Sequence, residues 1–394
     1  MDMFFISILL FLNYTFSSPI NVDIRSINPK RDSTSWDPEL AFQITINATW
    51  SLFWNNQYQA FNAYDPQCQS GFNYDSVWNV AVAGKAIVNS GDTTKTQLVI
   101  NNLYKFQNQQ TGWFTSTPGG SQAYTDDNSQ VLWVFLDAYK LTSNQQYLTT
   151  AINLIHLIQT QWSTIGGITW EVGANYIASI STTEAALSAV RVYEYNNDKT
   201  LLTFANSCLS WLDTHLTDTD GFYFDGIDSR DWSINRGKLT YTVGTAISTY
   251  SYLTKFTGDG LYLNKAIKLA NSVFESTVFL NSNGVWNNNL SYSHLLFVGI
   301  ADLITLLQQT QYVNQLTSQA NFIWLYDQLT PGSFGDYQNI QVLYNRYQSI
   351  TNDKALGFNS IIDNYCNGNF QQPKRTLLND GSAAQIFYQI TRIN

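Results

Sequence analysis

The sequence predicts an all-α fold, specifically an (α/α)6 barrel, or toroid, of about six helical hairpins. The first observation behind this prediction is a repeat in segments 141–151, 195–205 and 256–266, where a polar turn precedes two apolar residues, two variable residues and an alanine. The second is that each turn lies between two apolar runs of helix length. Stacked hairpins explain both features, and a closed ring of six needs no polar caps, unlike an open solenoid.

The runs on the two sides of the first turn predict two kinds of helix. The run Val131–Leu136 is apolar on all sides, which is typical of a buried inner helix. The run after the turn is apolar on one face only, which is typical of an outer helix. Its apolar residues are Leu148, Ala151, Ile152, Ile155 and Ile158. We therefore expect inner and outer helices to alternate, with the functional face at the loops that join them.

The N-terminus carries a different signal. Residues 3–16 form an apolar run that is too short to span a bilayer, and small residues follow at Ser17 and Ser18. A secretory signal peptide over 1–18 is expected despite the acidic Asp2, with an uncleaved anchor as the alternative. An N-terminal extension is then expected over 19–45 and the helical domain over 46–394, because no linker or break in composition divides the rest of the chain.

Other features bear on the cellular compartment, which we expect to be secreted or extracellular, including the cell wall. Two glycosylation sequons begin at Asn47 and Asn289, and the C-terminus lacks the hydrophobic tail of a lipid-anchor signal. Cys208 lies in an apolar helical pattern. Cys68 and Cys366 lie in polar contexts where a disulfide is possible, but the sequence does not give their distance. A monomer without membrane attachment after signal removal is expected.

Composition limits the function classes. Charged residues make up 12% of the 394 residues and aromatic residues 15%, which excludes a disordered chain. A net charge of −9 argues against nucleic acid as a partner, because phosphates require Lys and Arg. No nucleotide-binding or serine-hydrolase motif and no metal-ligand spacing occurs, so no cofactor and no metal are predicted. The amide- and hydroxyl-rich chain suits a neutral polyhydroxylated ligand, although a compositional bias toward Asn and Tyr explains it equally.

The sharpest local feature is the pair Asp126-Asp127, directly before the buried helix. One reading is structural, because Asp is favoured at helix N-caps and in first turns. The other reading is catalytic. Adjacent carboxylates repel each other, so one pKa should rise, and retaining glycosidases use two carboxyl groups about 5 Å apart, one ionised and one protonated.

Aromatic residues cluster in the predicted loops. They either stack on sugar rings at the mouth of the toroid or cover the ends of the core, and the sequence does not separate these roles. They are Trp113, Phe114, Trp162, Trp170, Tyr223, Trp232 and Tyr241.

From about residue 55 to the end, the chain resembles glycoside hydrolase family 76, the α-1,6-mannanase family. The acid pair followed by Trp133 resembles the signature helix of the family. Four further segments match in the family's order: GGITW at 166–170, GFYFDGID at 221–228, TYTVGTAISTYSYL at 240–253 and DGSAAQIF at 380–387. The resemblance implies an (α/α)6 barrel, a retaining attack on α-1,6-mannosidic bonds, and α-mannan or a mannooligosaccharide as partner.

The resemblance also implies roles for individual residues. By position, Asp126 is the nucleophile and Asp127 the acid/base. The predicted substrate-binding residues are Tyr124, Trp170, Glu184, Asp225 and Tyr241.

Some positions depart from the family pattern and keep other functions open. Thr242, Val243, Ile177 and Ala178 differ from the usual family residues, and segment 294–303 lacks the usual basic residues. These changes motivate a non-catalytic mannan-binding module as one alternative, and a cell-wall transglycosidase is another. A toroid enzyme acting on acidic sugars is a third reading, which the acidic chain disfavours.

Overall fold

The computed structural model describes residues 36–353 and 357–394, so the expected signal peptide at 1–18 and most of the expected extension lie outside it. The described helices are α1 (Pro38–Phe53), α2 (Val77–Asn89), α3 (Thr93–Tyr104), α4 (Thr125–Thr142), α5 (Gln145–Gln159), α6 (Ser179–Asn196), α7 (Lys199–His215), α8 (Thr240–Thr257), α9 (Gly260–Glu275), α10 (Leu290–Leu307), α11 (Val313–Tyr326), α12 (Gln341–Thr351) and α13 (Leu377–Ile393). The described strands are β1 (Trp54–Asn55), β2 (Ala60–Phe61), β3 (Tyr176–Ala178), β4 (Gly226–Asp228), β5 (Ile234–Asn235), β6 (Gln328–Thr330) and β7 (Ser333–Phe334).

Six helices form a closed inner ring, which confirms the predicted (α/α)6 barrel. Helix α2 packs against α4, α4 against α6, α6 against α8, α8 against α10 and α10 against α13, and α13 returns to α2. Helices α1, α3, α5, α7, α9 and α11 form the outer layer, each beside an inner helix. Helix α12 lies outside this scheme and packs beside α11 over a small separate core.

The repeated polar turn has a simple structural origin. Each copy joins the end of an inner helix to the start of an outer one. Its first residue (Ser143, Asn197 or Gly258) adopts a left-handed backbone that ends the inner helix, with φ of 59°, 55° and 71°. The next residue (Asn144, Asp198 or Asp259) caps the outer helix by accepting a backbone N–H bond. The repeat is therefore a C-cap followed directly by an N-cap.

Helix α1 corrects the expected boundary at residue 46. It begins at Pro38, where Asp37 Oδ1 accepts hydrogen bonds from the N–H groups of Glu39 (2.9 Å) and Leu40 (3.2 Å). An N-cap Asp followed by Pro and an acidic first turn is a standard helix start. Phe42 is buried and stacks on Tyr388 of α13 at 5.3 Å. The helical domain therefore includes residues that the sequence assigned to the extension.

Helix α10 explains how an apolar segment sits in this fold. Among the described residues, it is the one helix long and apolar enough to cross a membrane by composition, with mean hydropathy 1.7, but it is 72% buried within the protein. Its Gly299 lies against Gly244 of α8, and a Cβ at either position would overlap the other helix's backbone. A core helix of a closed ring accounts for its composition.

The disulfide that the sequence left open is formed. Cys68 and Cys366 are bonded across 298 residues, with their Cα atoms 4.8 Å apart. Beside it, the fully buried Asp65 pairs with Arg375, whose Nε donates to Asp65 Oδ2 at 3.0 Å. Closing so long a loop stabilises a fold by up to about 5 kcal/mol in the chain-entropy account. Cys208 is unpaired and buried, packed as a small apolar residue.

Candidate active site

A pocket of about 370 Å³ opens where the inner helices begin. The second residue of each of four inner helices faces it: Trp78 of α2, Asp126 of α4, Ile180 of α6 and Tyr241 of α8. Ser76, Ser116, Tyr124, Asp127, Gln130, Trp170, Glu184 and Tyr292 complete the lining. Of the seven residues predicted from the sequence, the ring therefore brings six to one cavity, and Asp225 lies beside it.

Asp126 and Asp127 lie in the first turn of α4, partly exposed to this pocket. They are not N-caps, because the cap position is Tyr124 and no side chain caps this helix. Asp126 Oδ2 accepts a hydrogen bond from the Trp170 indole N–H at 3.1 Å, and its Oδ1 accepts one from the Asp127 backbone N–H at 3.1 Å. Asp127 receives no side-chain hydrogen bond from the described residues. The two acids therefore share one helix turn but have different environments.

Because their environments differ, the pKa values of the two carboxyl groups also differ. Burial raises the pKa of Asp126 to about 6, and the hydrogen bonds from backbone N–H groups and from Trp170 limit the rise. Burial and the neighbouring Asp126 charge raise the pKa of Asp127 well above its usual range, with no opposing hydrogen bond. The hydrogen bonds thus favour the ionised form of Asp126, whereas burial and the neighbouring charge favour the protonated form of Asp127.

The loop between α5 and α6 delivers Trp170 to the acid pair. The Thr125 N–H donates to Trp170 O at 2.8 Å, and the Thr125 hydroxyl donates to Thr169 O at 2.7 Å. The turn below them needs two glycines, because Gly166 and Gly167 have φ of 85° and 72° and both pack directly on the Trp211 ring. The GGITW segment is therefore a turn that positions an indole over Asp126.

Glu184 lies at the base of the pocket and is fully buried. Gln130 Nε2 donates to its Oε1 at 3.1 Å, while Oε2 has no hydrogen-bond partner among the described residues. Burial and the charge of Asp126 raise its pKa well above the usual range, which favours its uncharged form.

Asp225 is held beside the pocket by a small antiparallel sheet. Strand β4 pairs with β3 through Ala178 and Gly226 and with β5 through Gly226 and Asn235. Asp225 Oδ2 accepts hydrogen bonds from the Tyr176 hydroxyl (2.6 Å) and from Asn235 Nδ2 (2.8 Å). It is close enough to the acid pair for its charge to raise the pKa of Asp126.

Two aromatic walls face each other across the pocket. Tyr124 and Trp170 form one, with ring centroids 4.8 Å apart. Trp78, Tyr292 and Tyr241 form the other, with centroid distances of 6.5 Å and 5.1 Å along the row. Sequence reasoning missed Trp78 and Tyr292. Both lie in the first turn of an inner helix, α2 or α10, and each is followed by an apolar run of helix length that could have indicated this position.

The predicted loop aromatics divide into two groups. Trp113, Phe114 and Tyr223 are buried and cover the core. Trp162, Trp170 and Trp232 are exposed, and Tyr241 lines the pocket. Three of the seven therefore cover the core, and Trp170 and Tyr241 line the pocket.

The positions that depart from the family pattern do not line the pocket. Thr242, Val243, Ile177 and Ala178 are all buried. Ile177 packs against the Gly167 turn and pairs with Ile227 in the sheet. These substitutions therefore act on packing behind the site.

Within the described residues, one cluster has the ligand types and spacing for a metal ion: Asp65, Cys68 and Cys366. The two sulfurs are bonded to each other, and the cluster lies outside the pocket.

The chain matches one protein family and a curated relative. The model of glycosyl hydrolase family 76 matches residues 40–368. A curated relative, the meiotically up-regulated gene 191 protein of Schizosaccharomyces pombe, is 28% identical over 204 residues, and the match spans 45% of this chain and 46% of the relative. The chain thus covers about half the length of that relative.

Several solved structures share the fold. A GH76 α-mannanase of Bacteroides thetaiotaomicron superposes with a TM-score of 0.74 at 16% identity, covering 93% of this chain and 98% of that one. The α-1,6-mannanase GH76A of Salegentibacter sp. HEL1_6 superposes with a TM-score of 0.70 at 20% identity, covering 91% of this chain and 100% of that one. That structure is an inactive variant with two consecutive aspartates changed to alanine, in complex with α-1,6-mannotetrose. Dfg5 of Chaetomium thermophilum, in complex with glucosamine, gives 0.65 at 12% identity, covering 91% of each chain.

Proposed function

The chain belongs to glycosyl hydrolase family 76, and from that premise we propose that it is a retaining glycosidase that cleaves α-1,6-mannosidic bonds in mannan. The observation that carries the proposal is the unequal environment of the acid pair. A retaining mechanism requires one ionised and one protonated carboxyl group at the same bond. The hydrogen bonds to Asp126 and their absence at Asp127 supply that difference.

In the first step, an Asp126 carboxylate oxygen attacks the anomeric carbon of the mannose unit. The glycosidic C–O bond breaks as Asp127 gives its proton to the leaving oxygen, which produces a glycosyl ester on Asp126. In the second step, the Asp127 carboxylate takes a proton from water. The resulting oxygen attacks the same carbon, and the ester bond to Asp126 breaks.

The walls of the pocket fit a neutral sugar. Stacking between the Tyr124–Trp170 wall and the Trp78–Tyr292–Tyr241 wall needs no charge on the ligand. The Asp225 oxygen held by Tyr176 and Asn235 is an acceptor placed for a sugar hydroxyl. One family member, solved in two inactive variants with α-1,6-mannotetrose and α-1,6-mannotriose, supports mannan as the substrate class.

The test is hydrolysis of unbranched α-1,6-mannan by wild type, Asp126→Asn, Asp127→Asn and the exposed-surface control Asp363→Asn. We expect reducing ends from wild type and the control, and a loss of at least about a hundredfold in the two pocket variants. NMR of the first product should show an α anomer. A β anomer would exclude the retaining mechanism, and an Asp126→Asn variant as active as wild type would exclude the nucleophile assignment.

A cell-wall transglycosidase is the second candidate, because the shared fold also binds a sugar other than mannose, the glucosamine of Dfg5. The two candidates differ only in the second step, where a sugar hydroxyl replaces water as the acceptor. Products longer than the substrate in the same assay would establish transfer. Binding of mannan without any new reducing end or longer product would favour the non-catalytic module.

We infer that the protein acts outside the cytosol after removal of residues 1–18. The Cys68–Cys366 disulfide supports this proposal, because such bonds persist in oxidising compartments. The exposed Asn47 sequon is compatible with glycosylation there. Recovery of the protein from culture medium without residues 1–18 is the corresponding test.

A further inference from the structure

Trp232 stands out among the tryptophans of the described residues. It is the most exposed of them, with 52% of its surface accessible, compared with 42% for Trp170 and 38% for Trp162. It is also the one tryptophan there with a left-handed backbone, at φ 62°. A bulky side chain rarely adopts this conformation. Gly or Asn usually fills such a turn position, so the fold retains a Trp where a smaller residue would be easier to accommodate.

The turn that carries Trp232 is well braced. Trp232 lies between β4 and β5, where its N–H donates to Asp228 O at 2.9 Å. Asp228 accepts from Arg230 Nε at 3.0 Å, and Asp231 Oδ1 accepts from the Ser233 N–H at 2.9 Å. On one side the indole lies against His215, with ring centroids 6.5 Å apart, and His215 in turn stacks on Trp211. The indole is thus near His215 on one side and largely exposed to solvent.

The β4–β5 hairpin that carries Trp232 also makes contact beside the candidate active site. Asn235 of β5 donates to Asp225, which lies beside the acid pair. Trp232 is three residues from Asn235 along the chain, so the rise per residue places its Cα within about 10 Å of the Asn235 Cα. A polysaccharide longer than the 370 Å³ pocket must continue past its rim, and this hairpin is attached beside the pocket through Asp225.

We propose that Trp232 is a distal sugar-binding platform, on which a mannose unit stacks while another unit of the same chain occupies the catalytic pocket. The proposal rests on the proposed function and extends its binding surface. One indole among polar neighbours (Arg230, Asp231 and Ser233) matches the flat face of a single sugar ring. A protein partner would need a contiguous apolar patch of several hundred Å², which this turn does not present.

The test compares wild type with Trp232→Asn, since Asn tolerates the left-handed backbone. Calorimetric Kd and kcat/KM are measured with α-1,6-linked mannotriose and mannohexaose. We expect Trp232→Asn to weaken mannohexaose binding about tenfold, with kcat/KM for mannotriose within about twofold of wild type. The melting temperature should stay level or rise, because the strained residue is gone. Trp162→Asn, at an exposed loop Trp packed on Phe204, is the matched control and should not change the ratio of the two Kd values.

The outcomes separate this proposal from the proposed function. Equal losses for both oligosaccharides, or no loss for mannohexaose in an active enzyme, would overturn the Trp232 platform alone. A lower melting temperature with unchanged Kd values would show that Trp232 serves folding. If wild type binds mannohexaose through Trp232 but cleaves nothing, the platform stands and the hydrolase proposal falls. If wild type neither binds nor cleaves, both fall.

Discussion

At the residue scale, hydrogen bonds from a backbone N–H and from the Trp170 indole distinguish two otherwise similar acids. Asp126 and Asp127 share a helix turn and a partly exposed position. A hydrogen bond to a carboxylate stabilises its charged form and lowers its pKa. Because Trp170 donates only to Asp126, this residue of the pocket wall adds to the stabilisation of the ionised form of Asp126 and not of Asp127.

Replacing Trp170 with Phe should therefore change the pH profile. The Phe ring keeps an aromatic wall but donates no hydrogen bond, so the pKa of Asp126 rises above its value of about 6. Asp126 must be ionised to attack, so the acidic limb of kcat/KM should move to higher pH, by about one unit for a lost charged hydrogen bond. Activity at pH 5 should fall about tenfold more than activity at pH 8.

Trp162→Phe is the matched control, because Trp162 is an exposed tryptophan of the same loop without a contact to either acid. Its profile should coincide with that of wild type. A uniform loss at all pH values in Trp170→Phe would instead assign Trp170 to sugar binding alone.

The sequence could predict some of these residues and not others for a physical reason. Asp126, Asp127 and Trp170 lie in short local motifs, so their types and spacing point to chemistry before any fold is known. The brace of Tyr176, Asp225 and Asn235 forms only when β3 and β5 pair with β4. Likewise, Trp78 and Tyr292 meet because the ring closes between distant helices. Contacts that form only when distant segments of the chain come together in the ring leave no local pattern in the sequence.

At the element scale, the turn before Trp170 shows how one loop positions the indole that bonds Asp126. Gly166 and Gly167 combine left-handed backbones with direct contact to Trp211. Trp211 Nε1 also donates to Ile165 O at 2.8 Å, which fixes the turn on α7. The loop therefore connects the outer helix α7 to the acid pair on the inner helix α4.

Gly167→Ala should release this loop. The added methyl group would overlap both Trp211 and Ile177, and the backbone at φ 72° disfavours Ala. We expect a loss of about 2–3 kcal/mol in the free energy of unfolding and a fall in kcat/KM, since Trp170 loses its position. Chemical denaturation and steady-state kinetics measure the two effects.

Gly173→Ala is a control from the same loop. Gly173 has φ 80°, but a methyl group there meets no atom within 4 Å. Only the backbone penalty of about 1 kcal/mol is expected. Equal effects of the two substitutions would show that contact with Trp211 is not what holds the loop.

Element boundaries were predicted where caps carry a local signal. The repeated turns revealed the hairpins because Asn144, Asp198 and Asp259 cap outer helices directly after left-handed residues. The same reasoning applied to Asp37 and Pro38 would have placed the start of α1 correctly. The short strands were not predictable, since each is two or three residues long and is defined by its partner strand.

At the scale of the whole molecule, the two ends of the ring have different chemistry. The mouth contains acids whose pKa values are raised and which take part in the proposed reaction. The far end contains a second cavity of about 320 Å³ lined by ion pairs. There Asp137 of α4 accepts hydrogen bonds from Lys85 Nζ of α2 at 2.7 Å and from Arg191 Nη2 of α6 at 2.5 Å. One carboxylate therefore links three successive inner helices near their C-terminal ends.

Asp137→Asn should lower stability without changing the chemistry at the mouth. Burial alone would raise the pKa of Asp137, but the charges of Lys85 and Arg191 outweigh it and hold the pKa at about 2. Because the folded-state pKa lies below the unfolded value of about 3.9, the stabilisation is complete above that pH and is lost as pH falls toward 2. Removing the carboxylate leaves two nearly buried cations without their partner, which costs about 3–5 kcal/mol.

Denaturant unfolding at several pH values measures this effect, with kcat of the folded fraction recorded in parallel. Glu194→Gln, at the half-exposed pair with Lys255, is the control and should cost less than about 1 kcal/mol. The loss in Asp137→Asn should be largest at pH 7 and shrink toward pH 2, where wild type has lost the same charge, while kcat stays near that of wild type. A large fall in kcat at normal stability would contradict the prediction that Asp137 affects stability alone. It would mean that the far end of the ring acts on the acid pair across the length of α4.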